Sequence, residues 1–308
     1  MRLLITGGTG FVGGAVIAEA TRRGMAVDLL TRGPAKRALL GVGTLDMGSG
    51  RWSTRALSGA LERAAPDVVL HLAGGPGHGT IEELYEANVF LCHRLIAAAR
   101  ETAPAARIVV IGSAAEYGPP ASADGRARED DPARPAGAYG IAKLAQTLHA
   151  LAAARAGQDI TVARLFNPIG WDMPEGLAFV DFAVRIASGN GRLFTGNIDT
   201  ERDFMPVSAA ARVLLDIAAC EGARGRIVNV CSGRPQPVRT AVEYMLSRTK
   251  MPTELVIDGS HPVGVPVIFG DTATLGALGI APASADIRPE LDALMERYDQ
   301  RTAHDGLP

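Results

Sequence analysis

An α/β fold, a doubly wound parallel sheet with a smaller mixed α/β unit, is what this chain of 308 residues predicts. Three observations point there. Short apolar runs such as Leu3-Leu4-Ile5-Thr6 and Ile108-Val109-Val110-Ile111 have the length and content of buried parallel strands. The first run ends in a glycine-rich turn, Gly7-Gly8-Thr9-Gly10-Phe11-Val12-Gly13, which opens an amphipathic helical pattern. A hydrophobic fraction of 47% with 36 Gly and 19 Pro describes a turn-rich globular protein.

The glycines at 7, 10 and 13 suit a dinucleotide-binding Rossmann turn. One permits the turn, one lets backbone N–H groups approach a pyrophosphate, and one lets the helix pack close to the sheet. The second strand, Ala26-Val27-Asp28-Leu29-Leu30, ends in Thr31-Arg32 with no acid for a ribose 2′-hydroxyl. An Arg there accommodates a 2′-phosphate, so NADPH is expected, with NAD possible. Leu45-Asp46-Met47 closes the third strand, where Asp46 and Met47 would hold the adenine. Asp67 to Leu72 is the fourth strand and runs into small residues, Ala73-Gly74-Gly75. His71 reads as a packed strand residue. Glu82 to Ala99 reads as a helix carrying Asn88, and Arg107 to Gly112 as the fifth strand.

Ser113 stands just past that fifth strand, where an open parallel sheet places its ligands. Tyr139 and Lys143 follow, four residues apart, on one face of a helix and about 6 Å apart at Cβ. A phenol beside an ammonium has its pKa lowered, which suits proton transfer at a C–OH/C=O group. The pair alone occurs on many solvated helices; a nucleotide turn and a hydroxyl partner give it meaning.

Other features set limits. A net charge of −2 without a long basic run gives no sign of nucleic acid or an anionic membrane. The three cysteines, Cys92, Cys220 and Cys231, have no metal-ligand spacing and suit a reducing cytoplasm. No apolar run reaches spanning length, so a cytosolic protein is expected.

The chain resembles the extended short-chain dehydrogenase/reductases, the NAD-dependent epimerase/dehydratase family. The matching pieces are Gly7–Gly13, His71–Gly74, Ser113–Gly118, Tyr139–Lys143, Arg164-Leu165-Phe166-Asn167-Pro168-Ile169-Gly170 and Arg202-Asp203-Phe204, in the family's order across nearly the whole chain. Within the family the motifs are most similar to GDP-4-keto-6-deoxymannose reductases and related 4,6-dehydratases. The resemblance implies Tyr139 as acid/base, Lys143 on the nicotinamide ribose, and Ser113 on the reacting sugar oxygen. It places the cofactor among Gly7, Gly10, Phe11, Val12, Gly13, Thr31, Arg32, Asp46, Met47, Leu72, Ala73, Gly74, Asn88, Ile111, Phe166 and Ile169. It places a nucleotide-diphosphate sugar against Ser113, Ala114, Asn167, Phe179, Arg185 and Arg202. A bland reading of Arg202 is a salt bridge to Asp203 or another acid.

Two departures bear on the reaction. Family dehydratases carry an acid, usually Glu, three residues before the glycine that closes the loop; here Ala115 stands there, preceded by Ala114. Pro262-Val263-Gly264-Val265-Pro266 replaces a segment that often carries a Glu on the nucleotide ribose. The expected reaction is therefore NADPH-dependent reduction of a 4-keto-6-deoxy sugar nucleotide. A 4-epimerase is the alternative, then a 4,6-dehydratase, with a non-catalytic nucleotide sensor remote.

The nucleotide-binding unit is expected to span 1–166 and 200–231, with a helix through 207–220 and the strand Ile227–Val230. The sugar-nucleotide unit takes 167–199 and 232–308. Loops 118–137 and 189–203 are candidates for covering the cleft, and the tail after Tyr298 is expected to fray. The family often forms a homodimer through two helices, here Glu82–Ala99 and the helix carrying Tyr139.

Overall fold

Seven parallel strands form the main sheet of the computed structural model, in the spatial order Ile227–Val230, Ile160–Leu165, Arg107–Ser113, Val68–His71, Arg2–Thr6, Ala26–Thr31 and Val42–Asp46. The structure describes residues 1–33, 41–75, 79–249, 252–258 and 264–305, with side chains through 299. Alternation along each strand sends side chains to two opposed cores. Leu3, Ile5, Val27, Leu29, Val109 and Ile111 join one core, which is shared with the helices Phe11–Arg22 and Val207–Ala219. Leu4, Leu30, Val69, Ile108 and Val110 join the other, beneath the helices Thr54–Ala64, Leu91–Thr102 and Ala138–Arg155. Both faces are covered, so the strands Val68–His71 and Ile160–Leu165 are buried at every residue.

Chain order reverses at the strand Arg2–Thr6, which pairs with Ala26–Thr31 on one side and Val68–His71 on the other. A crevice at the carboxyl ends of the strands follows from that reversal.

A third core lies over that edge, built from Phe179, Val180, Ile186, Leu193, Phe204, Val242, Met245, Leu294 and others. A four-stranded sheet joins residues from distant stretches: Gln236–Pro237, Glu201–Arg202, Val267–Gly270 and Arg126–Ala127. Both loops expected to cover the cleft are therefore partly pinned. Arg126 and Ala127 of loop 118–137 pair with Phe269 and Gly270, and the strand Arg192–Thr195 pairs with Glu254–Ile257.

Two sequence expectations need correction. The Glu82–Ala99 helix is a short helix Ile81–Tyr85, a π-helical turn Glu86–Phe90 and a helix Leu91–Thr102. The stretch after Tyr298 is helical: the last helix, Arg288–Asp305, carries that residue and continues beyond it. Leu291, Leu294, Met295 and Tyr298 anchor it to the third core. Among the described residues no helix is long and apolar enough to cross a membrane.

Candidate active site

The glycine turn packs directly on the segment that follows Val68–His71. Gly7 has φ +73, and a Cβ there would lie 2.5 Å from the Ala73 nitrogen, so neither the conformation nor the space admits a side chain. Gly10 N–H donates to the Gly7 carbonyl at 3.0 Å. The helix Phe11–Arg22 starts from Gly10 with no side-chain cap, leaving the first N–H groups, on Phe11, Val12 and Gly13, without a side-chain acceptor. Such a terminus is suited to an anion.

Deeper in the crevice, Leu72 and Ala73 are tethered to Thr6: Leu72 N–H donates to its carbonyl at 3.1 Å and Ala73 N–H to its hydroxyl at 3.2 Å. The same hydroxyl lies 2.8 Å from His71 Nδ1. His71 is fully buried, and burial, with the Lys143 charge, pushes its pKa down to about 3. It is a neutral packed residue, as its place in the apolar run implies.

Asn88 sits in the π turn, and its amide N–H₂ donates to the Leu84 carbonyl at 2.9 Å. The π turn shifts the local hydrogen-bond ladder, and the side chain satisfies a carbonyl there. Asn88 Oδ1 is buried without a partner in the structure. It faces Gly74: a Cβ on Gly74 would lie 2.8 Å from that oxygen and 3.2 Å from Lys143 Nζ. An acceptor and an ammonium thus meet beside a backbone with no side chain, a cradle that fits the ribose of a nicotinamide cofactor.

At the other end of the crevice a cavity of about 490 Å³ is lined by Arg32, Arg51, Trp52, Gly75, Glu86 and Arg94 among others. Glu86 is engaged by Arg94 and lies 3.8 Å from Arg51. Arg32 is exposed at the strand end. Asp46 Oδ1 accepts from the backbone N–H groups of Gly33 and Gly48, both at 2.9 Å, tying the two adjacent loops together. Thr31 is buried and Met47 half-buried beside them.

Ser113 and Tyr139 come together, while the Lys143 ammonium ends in the layer below them. The helix Ala138–Arg155 approaches the Ser113 loop closely because Gly140 has no side chain: a Cβ there would lie 2.4 Å from the Ala115 carbonyl oxygen. The Tyr139 phenol lies beside the Ser113 side chain. Ser113 Oγ also accepts from Ala115 N–H at 3.2 Å.

The expected electrostatics are corrected, however. Tyr139 is shifted up, first by burial, then with the Ser113 side chain lowering it and the Glu116 charge raising it. Lys143 instead turns into the layer between helix and sheet, donating to the Ile111 carbonyl at 2.9 Å and to Gln146 Oε1 at 3.0 Å. Burial outweighs the nearby acid and holds its pKa down at about 8. Helical spacing puts two residues on one face without deciding where a four-carbon side chain ends. Gln146, three residues after Lys143, escaped the sequence reading; the i,i+3 spacing was its signal.

Beneath the loop, Glu116 is wholly buried and forms an ion pair with Arg164, Nε to Oε2 at 2.9 Å. Its other oxygen accepts from Ser113 N–H at 2.8 Å. It points away from the crevice, whereas Ala114 is half-buried and Ala115 exposed.

On the substrate side, Asn167 donates from its amide to the Asp203 carbonyl at 2.9 Å. Asp203 is buried and accepts from Ser232 N–H and Oγ, Gly233 N–H and Gly270 N–H; burial still shifts its pKa upward. It is thus not the partner of Arg202. Arg202 donates to the carbonyls of Glu201 (2.7 Å) and Pro266 (3.4 Å), and burial lowers its pKa. Among the described residues no carboxylate forms a salt bridge with it.

Two expected contacts lie elsewhere. Phe179 packs edge-on against Phe182 and Phe204 inside the third core, and is only 4% exposed. Arg185 donates to the Phe194 carbonyl at 2.9 Å. Phe166, Ile169 and Ile111 are buried beneath the crevice. Pro262 and Val263 lie outside the described residues, while Gly264 has no neighbour within 4 Å of where a Cβ would stand.

The model of the NAD dependent epimerase/dehydratase family matches residues 3–231. The chain belongs to that family. It is 33% identical over 272 residues to a dTDP-6-deoxy-L-talose 4-dehydrogenase (NAD(P)(+)) of Kitasatospora kifunensis, covering 85% of this chain and 84% of the relative. It is 28% identical over 206 residues to a GDP-6-deoxy-D-mannose reductase of Pseudomonas aeruginosa, covering 63% and 66%. Among solved structures it is similar to MoeE5 in complex with UDP-glucose and NAD, with TM-score 0.80, 26% identity and coverage of 98% and 100%. RMD from Pseudomonas aeruginosa, complexed with NADPH, shares the fold with TM-score 0.78, 24% identity and coverage of 98% and 100%. The chain is an NAD(P)-dependent enzyme of the family that modifies nucleotide-diphosphate sugars.

Proposed function

We propose that this enzyme reduces the C4 ketone of a 4-keto-6-deoxy nucleotide-diphosphate sugar with NADPH. The observation that carries the reading is the placement of Glu116. The only carboxylate of the Ser113–Gly118 loop is buried and bound to Arg164, while Ala114 is half-buried and Ala115 exposed. Dehydration needs a group to take the C5 proton and one to protonate the leaving C6 hydroxyl, and neither methyl can transfer a proton.

When bound, the cofactor supplies the hydride. Tyr139 gives its proton to the C4 oxygen as that charge develops; its upward-shifted pKa keeps the phenol protonated at neutral pH, as a proton donor requires. Ser113 donates to the same oxygen. Two of the three ammonium hydrogens of Lys143 serve Ile111 and Gln146, which leaves one for the ribose hydroxyls. Arg202, half-buried and with no acid partner among the described residues, faces the diphosphate together with Asn167. Arg32 takes the 2′-phosphate. Segments 167–199 and 232–308 hold the sugar nucleotide. Phe90, Ile141 and Leu148, 48%, 46% and 57% exposed, lie on the elements expected to form a homodimer and support that assembly.

The test uses purified protein with NADPH and a panel of 4-keto-6-deoxy sugar nucleotides. Stoichiometric NADPH oxidation with a 6-deoxy sugar product, identified by NMR, is expected. Conversion of a 4-hydroxy sugar nucleotide such as UDP-glucose into its C4 epimer, without net consumption of cofactor, would make the enzyme a 4-epimerase. With GDP-mannose or dTDP-glucose, NADP⁺ and deuterated water, no 4-keto-6-deoxy product should form. Such a product carrying deuterium at C5 would make it a dehydratase.

A further inference from the structure

We infer that Glu116 is the positioning residue of the Ser113–Tyr139 pair, acting from beneath through the backbone N–H of Ser113. A buried ion pair is weak evidence for stability, since apolar groups of similar volume serve as well. Glu116 and Arg164 must therefore be read by what else they hold. One Glu116 oxygen accepts the Ser113 N–H at 2.8 Å while the other accepts from Arg164 at 2.9 Å, so the carboxylate bridges the loop to the neighbouring strand Ile160–Leu165. The pocket is built for it: a Cβ on Gly112 would lie 2.6 Å from that first oxygen. Arg164 is itself fixed, with its guanidinium 4.5 Å from the Tyr117 ring centre. Tyr117 donates to Asn229 Oδ1 at 2.6 Å, and Asn229 to the Ala127 carbonyl at 3.0 Å.

The turn Ala114–Glu116 is thus clamped from below by Arg164 and from above by Gly140, which holds Ser113 beside Tyr139. The Glu116 charge also acts on both Tyr139 and Lys143, raising each. The other titratable groups around these two are Arg164, His71, Cys92 and Tyr85.

The inference rests on the proposed role of Tyr139 as proton donor, and the experiment separates the two. Wild-type turnover tests the reaction, while the ratio of variant to wild type tests Glu116. Two variants are needed, because Glu116→Gln leaves Arg164 buried without its counter-charge. The second is Glu116→Leu/Arg164→Met, which removes both charges at similar volume. Folding is read by circular dichroism and melting. In both variants kcat is expected to fall about tenfold or more with KM for the sugar nucleotide within about twofold. The alkaline limb of kcat, where Lys143 and then Tyr139 lose their protons, should move to lower pH by about half a unit or more, since the Glu116 charge raises both groups. Ultraviolet titration against the matching Tyr139→Phe protein reads the same shift without turnover. A folded double variant with wild-type kcat and limb would overturn the inference. So would a loss equal at every pH with no shift in the phenol titration, which would make Glu116 a structural residue only.

Discussion

Lys143 donates to the main-chain carbonyl of Ile111 at 2.9 Å, two residues before Ser113 on the same strand. The helix that carries the proposed acid is therefore pinned to the strand that carries its hydroxyl partner. It is pinned by an ammonium whose pKa burial holds at about 8.

NADPH affinity should consequently depend on pH. It should be level near pH 7, where the 2′-phosphate is ionised, and weaken as pH rises through about 8, where Lys143 loses the proton it uses as a donor. Lys143→Met should bind NADPH about tenfold or more weakly at neutral pH, with that dependence flattened. Fluorescence titration of NADPH across the range checks both. A level profile in the wild type would remove the ribose role.

Tyr139→Phe should lower turnover by about two orders of magnitude or more and leave cofactor affinity nearly unchanged, because only the proton donor is lost. Steady-state kinetics beside equilibrium NADPH binding make the measurement. Near-normal turnover would take Tyr139 out of the mechanism.

Arg32→Ala should weaken NADPH binding by about 1.5–3 kcal/mol and barely affect NADH, since a charge-assisted hydrogen bond to the 2′-phosphate is what it would supply. Calorimetry with both cofactors is the check. Equal losses, or a wild-type preference for NADH, would count against the assignment.

His71 should make the fold acid-sensitive. Its imidazole titrates at about 3 when folded against an ordinary 6.5, so the unfolded chain takes up the proton first as pH falls. Its share of stability is complete above about 6.5 and declines on the way to about 3, by at most ~1.4 kcal/mol per pH unit. Urea denaturation at pH 7, 6 and 5 should show the decline, and His71→Asn should reduce its slope. An equal slope in both proteins would assign the acid sensitivity to other groups.

Much of the site is legible in the sequence because its signals are local. The strand Ile227–Val230 has the bounds the sequence predicts. The glycine turn, the Ser113 position at a strand end and the Tyr139–Lys143 spacing each depend on residues within a few positions of one another. The resemblance then supplies their order along the chain.

What local signals cannot decide is where side chains end once distant segments pack. Glu116 meets Arg164 across 48 residues of chain, and Asp203 draws its donors from Ser232, Gly233 and Gly270. Arg126 and Ala127 find their strand partners at Phe269 and Gly270. The direction of the Tyr139 shift also belongs to the tertiary structure. Sequence spacing proposes an ammonium that lowers it, but burial is the larger influence on this phenol, and burial exists only when helix, sheet and loop come together. The sequence by itself determined which groups are available for chemistry; packing decided which are desolvated, which are paired and which face the crevice.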